Sequence, residues 1–72
     1  MIPDKEKMSI LGFLRFNSYY PLRQLKEKFD EKALLELIDH NFIKIIKIKP
    51  DILALLTPEG LAWYSHHSQE IR

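Results

Sequence analysis

Residues 41–60 read Asn41-Phe42-Ile43-Lys44-Ile45-Ile46-Lys47-Ile48-Lys49-Pro50-Asp51-Ile52-Leu53-Ala54-Leu55-Leu56-Thr57-Pro58-Glu59-Gly60, and the reading of this stretch decides the fold. From Ile43 to Leu56 the chain is β-branched or apolar with lysines interspersed, which is strand chemistry. Pro50-Asp51 interrupts the run with two favoured turn residues. The pattern predicts two strands in a hairpin with Pro50 and Asp51 at its tip, because a proline inside a central strand would remove a ladder hydrogen bond. Asn41 suits the left-handed position just past a helix end. Thr57 suits an N-cap, and Pro58 suits the first helical position, where its missing N–H is not needed. The stretch therefore closes one helix, forms a hairpin and opens another helix, which runs through Leu61, Ala62, Trp63 and Tyr64 and frays after Ser68.

Before Asn41 the spacing is helical. Asp4 is placed to cap a first helix, with Ile10, Leu11 and Leu14 on its buried face, Phe13 and Phe16 alongside, and an end near Asn17. Ser18-Tyr19-Tyr20-Pro21 breaks it, since proline restricts both its own φ and the residue before it. A short second helix puts Leu22, Leu25 and Phe29 on one face and Arg23, Lys26, Glu27 and Lys28 on the other. Asp30 is the expected N-cap of a third helix, whose buried stripe is Leu34, Leu37 and Ile38. The expected fold is mainly α with a small β-hairpin, in the order ααα-ββ-α, as a single domain over residues 1–72.

A chain of 72 residues buries only about 60% of its unfolded surface, so its stability margin is thin. It has no cysteine to staple it, which fits a reducing cytosol. With 46% hydrophobic and 29% charged residues the composition is that of a globular domain, and the net charge of +1 gives little overall pull toward nucleic acid. The charged opening from Met1 to Lys7 has no apolar run behind it, and no stretch approaches the roughly 20 apolar residues of a membrane span. A soluble, cytoplasmic protein without membrane contact is expected. Two glycines and scattered serines offer no phosphate loop, nucleophile–base pair or paired-acid cleft, so no enzyme is expected. No cofactor or metal is expected either. His66 and His67 are neighbours that diverge on a helix, and His40 suits the negative pole at the end of the third helix.

Four places give the chain its likeness to a known family. They are Ile10-Leu11 with Leu14, Tyr20-Pro21-Leu22 through Leu25, Leu34 and Leu37 followed by Asn41-Phe42-Ile43, and Leu56-Thr57-Pro58-Glu59-Gly60, the most specific of the four. Together, from about Asp4 to Tyr64, they resemble the winged helix-turn-helix superfamily, especially its small transcription regulators. The resemblance implies DNA binding, with the third helix in the major groove and the hairpin, or wing, on the flanking backbone.

The residues themselves leave two readings open. Over the third helix Lys32 stands against Asp30, Glu31, Glu36 and Asp39, a balance of −3 that phosphates repel, and Lys32 is its one basic base-reading side chain. Basic side chains gather elsewhere: Arg23, Lys26 and Lys28 on the second helix and Lys44, Lys47 and Lys49 on the hairpin form a candidate rim for the phosphates of double-stranded DNA. The alternative is a winged-helix module that binds protein through its acidic third helix or apolar hairpin. Self-association is expected in either case. If Ala54 and Leu56 face the core, period two turns Leu53 and Leu55 outward, and Trp63 and Tyr64 point about 100° apart on their helix. Leu53, Leu55, Trp63, Tyr64 and Ile71 are the expected contacts of a homodimer.

Overall fold

The computed structural model describes residues 5–70, with side chains described through residue 68. The proposed cap Asp4 and the proposed contact Ile71 lie outside the described residues. The elements are α1 (Lys5–Phe16), β1 (Tyr20–Pro21), α2 (Leu22–Lys28), α3 (Glu31–Asp39), β2 (Ile43–Ile48), β3 (Asp51–Leu56) and α4 (Pro58–Glu70). Four helices and a small antiparallel sheet make a mainly α fold.

The sheet has three strands rather than two, in the order β1-β3-β2. The added strand is the two-residue β1, which pairs Tyr20 with Ala54 and Pro21 with Leu53. Its proline is tolerated because β1 is an edge, where one side of the strand needs no ladder partner. The long hairpin runs in register from Ile43 opposite Leu56 to Ile48 opposite Asp51. This shifts the expected turn by one residue. Lys49-Pro50 make the turn, joined by a cis peptide bond, while Asp51 is the first residue of β3.

The caps fall where local chemistry puts them. Asp30 Oδ2 accepts from the Ala33 N–H at 3.1 Å at the start of α3. Asn41 has φ 64°. The Asn41 N–H donates to the Ile38 carbonyl at 3.0 Å and the Phe42 N–H to the Leu37 carbonyl at 2.9 Å, the paired bonds of a Schellman motif. Thr57 then ties the two ends of the hairpin together. Its hydroxyl donates to the Asn41 carbonyl at 2.7 Å and accepts from the Gly60 N–H at 2.9 Å.

The core joins Ile10, Leu11 and Leu14 of α1, Leu25 of α2, Ala33, Leu34 and Leu37 of α3, and Ile43 and Ala54 of the sheet. Phe13 packs against this core, but Phe16 is 80% exposed and does not share the buried face. It follows Leu14 by two residues, about 200° around the helix. Phe29 sits just beyond α2 in extended backbone and contacts the Phe13 ring edge-on at 5.6 Å.

Candidate nucleic-acid interface

The first turn of α2 meets the hairpin tip. Pro21, Leu22, Arg23 and Lys26 line one side of a cleft of about 230 Å³, and Pro50, Asp51 and Ile52 line the other. Arg23 and Lys26 are three residues apart and so share one helix face. Ile52 pairs with Lys47, and opposite residues of an antiparallel pair project to the same side of the sheet. Lys47 therefore projects from the same sheet face as Ile52, next to the cleft, with Lys49 at the turn beside Pro50.

The seven basic residues expected at the site are all exposed, but they do not form one rim. Lys44 is opposite Leu55, three residues from Lys47, and so projects from the other sheet face. Lys28 extends over the Phe13 ring, its Nζ 5.6 Å from the centroid. Lys32 lies on the outer face of α3 beside Leu35, Glu36, Ile38 and Asp39. The structure thus brings Arg23 and Lys26 to the cleft, with Lys47 and Lys49 on the strand and turn next to it, keeps Lys28 beside Arg23 in a neighbouring hollow with Tyr20, Gln24 and Glu27, and leaves Lys32 and Lys44 elsewhere.

Three of the four acids at α3 have partners within the fold, at or near its surface. Asp30 caps its own helix, Glu31 lies 3.7 Å from Lys26, and Glu36 lies 2.5 Å from Lys7. Lys7 was missed in the sequence because lysines normally solvate, yet its residue is only 7% exposed. A signal was present: Lys7, Ile10, Leu11 and Leu14 keep the three-and-four spacing of one buried helical face. Glu31 also tempers the cleft, because it shares the charge of Lys26, and Asp51 adds a carboxylate to the cleft wall.

The expected contact residues are distributed over two surfaces. Leu53 lies between Pro21 and Ile46 on the outer sheet face, and Leu55 lies on that face beside Lys44. Both leucines are half-buried. Trp63 stacks on Phe42 at 5.2 Å and meets the His67 ring at 4.3 Å. Tyr64 crosses α1 at Gly12, where an ideal Cβ would lie 3.0 Å from its hydroxyl.

These features define a small, mainly α domain with a three-stranded antiparallel sheet, an arrangement compatible with a winged helix. No family model, no curated protein and no solved structure matches the chain. Among the described residues no helix is long and apolar enough to cross a membrane, and no three histidine or acidic side chains cluster as a metal site.

Proposed function

We propose that this chain is a small winged-helix DNA-binding protein that acts as a dimeric regulator of transcription and holds double-stranded DNA mainly by its phosphates. The observation that carries this reading is the cleft where Arg23 and Lys26 of α2 meet Pro50, Asp51 and Ile52 of the hairpin tip, with Lys47 opposite Ile52 and Lys49 next to Pro50 in the chain. Two segments far apart in sequence there present cations to one strip of backbone, and such contacts give affinity without much choice of sequence. The outer face of α3 adds little base reading, since Lys32 is set among Leu35, Glu36 and Asp39. Binding of short duplexes across a salt series is the test. A steep fall of affinity with salt, similar for unrelated sequences, supports the reading, and no binding at low salt rejects it.

One observation favours the second reading, a protein-binding winged helix. Leu35 is 52% exposed on the face of α3 that would have to enter the groove, and its neighbours Glu36 and Asp39 are acidic. Apolar surface with an acidic border suits a protein partner better than DNA. A homodimer fits both readings, with the outer sheet face of Pro21, Leu53 and Ile46 as the surface a second copy covers.

A further inference from the structure

A groove runs between α1 and α4 on a part of the molecule that neither reading uses. Its volume is about 660 Å³, and its apolar wall is made by Met8, Gly12, Phe13, Phe16, Phe29 and Tyr64. That volume is within the roughly 300–1,000 Å³ of small-molecule sites. Gly12 gives the groove its floor. A side chain there would press on Tyr64, whose ring already lies within 3.4 Å of an ideal Cβ.

Among the described residues that line the groove, the one charged side chain is a cation. Lys5 lines it directly, while the polar atoms of Ser9 and Ser68 are hydroxyls. The Arg15 guanidinium stands 5.7 Å from the Phe16 centroid and 5.9 Å from the Tyr64 centroid, so one cation caps two rings of the wall. No carboxylate lines the groove among the described residues. Among the described residues, Lys5 and Arg15 are also outside the fold's ion pairs, which leaves their charge available to a ligand.

We infer that this groove binds a small amphipathic carboxylate, an aliphatic chain or aryl group of about ten carbons whose anionic end meets Arg15 or Lys5. The complementarity is twofold. The aromatic wall takes an apolar body that water disfavours, and the cation at the end the head reaches supplies the charge-assisted hydrogen bonds a carboxylate accepts. A neutral head would lose the second contribution, and a cationic head would be repelled. The groove is separate from the surface assigned to DNA, since its lining residues come from α1, α4 and Phe29 while the phosphate-facing cations are on α2 and the hairpin.

The test uses the whole chain, with decanoate below its micellar range, decanol and decyltrimethylammonium as probes, followed by calorimetry and by backbone amide NMR. Decanoate is expected to bind once per chain, with shifts centred on Gly12, Phe16 and Tyr64, and at least about tenfold more tightly than the neutral or cationic probe. Lys5→Gln with Arg15→Gln, both at exposed positions, should weaken decanoate about tenfold and leave decanol unchanged. Equal binding of all three probes, shifts spread over the sheet instead of α1 and α4, or an unchanged decanoate affinity in the double variant would each overturn the inference.

Discussion

Gly60 rests directly on the backbone of Phe42: a Cβ built at position 60 would overlap the Phe42 carbonyl oxygen and lie 2.9 Å from Leu56 Cδ1. The close approach sets the first turn of α4 against the end of α3 and explains why glycine stands three residues after the cap. Backbone cannot move aside as a side chain tip can. Gly60→Ala is therefore expected to destabilise the domain by about 2–3 kcal/mol, near the top of the usual overpacking range, despite alanine's better helix propensity. At Gly12 the nearest atom is the Tyr64 hydroxyl, which can shift, so Gly12→Ala should fall within about 1 kcal/mol of the native chain. Paired thermal or urea unfolding of the two variants checks the contrast.

Thr57 serves both sides of the same junction. Thr57→Val keeps the shape but removes the hydrogen bonds to the Asn41 carbonyl and from the Gly60 N–H. A loss of about 1–2 kcal/mol is expected from the cap and the second bond together. Thr57→Ser should recover most of it, because serine keeps the hydroxyl. A Thr57→Val variant as stable as the native chain in urea titrations would show that the hydroxyl contributes little there.

The ion pair of Lys7 and Glu36 should respond unequally to its two removals. The lysine side chain is 9% exposed and the carboxylate 45%, so removing the carboxylate leaves a buried cation with less compensation, whereas removing the cation leaves an acid that reaches water. Lys7→Met should cost little, because it removes the desolvation of a buried cation and leaves behind a carboxylate that is 45% exposed. Glu36→Gln should cost about 1–3 kcal/mol. Equal effects in denaturant titrations would contradict this asymmetry.

Much of this was legible in the sequence, and the reason is locality. Asp30, Asn41 and Thr57 each act on a backbone group a few residues away, so residue type and spacing identify them. The strand β1 has no such signature, since Tyr20-Pro21 becomes a strand only by pairing with Leu53 and Ala54. The turn was displaced because proline and aspartate both favour turns, and only the register with Ile48 assigns Asp51 to β3. The candidate interface was half legible for a related reason: counting lysines finds basic segments, but period two sends Lys44 and Lys47 to opposite sides of the sheet. The α1–α4 groove went unseen because it is assembled from residues as distant as Met8 and Tyr64.

For DNA binding, the grouping of cations predicts which charges matter. Replacing Arg23, Lys26 and Lys47 together by glutamine should reduce the slope of log affinity against log salt by about 2–3, near one unit for each phosphate that is no longer neutralised. Lys44→Gln alone should change it much less. Fluorescence anisotropy with a labelled duplex from low to moderate salt reads both slopes, and a Lys44 variant as impaired as the triple variant would refute the assignment of the cleft.

Self-association is expected through the outer sheet face. Leu53→Gln places a polar group in the middle of the Pro21–Leu53–Ile46 row and should weaken a dimer by about tenfold or more, the effect of losing an interface anchor worth over about 1 kcal/mol. Sedimentation at several concentrations measures it. A native chain that remains monomeric to high micromolar concentration would show that this row needs no second copy.

The ring series His40–Phe42–Trp63–His67–His66, with neighbouring centroids between 4.3 and 6.0 Å apart, contains the only tryptophan of the chain. Trp63 is therefore a built-in optical reporter for one place, the seam where the end of α3, the start of the hairpin and α4 come together. Its near-ultraviolet dichroism and emission should follow the seating of α4 on Phe42 and lose their native signature when that seam opens. The groove at Gly12 is lined by Tyr64 and three phenylalanines and by no indole, so the Trp63 signal should report the seam and stay unchanged when the groove is occupied.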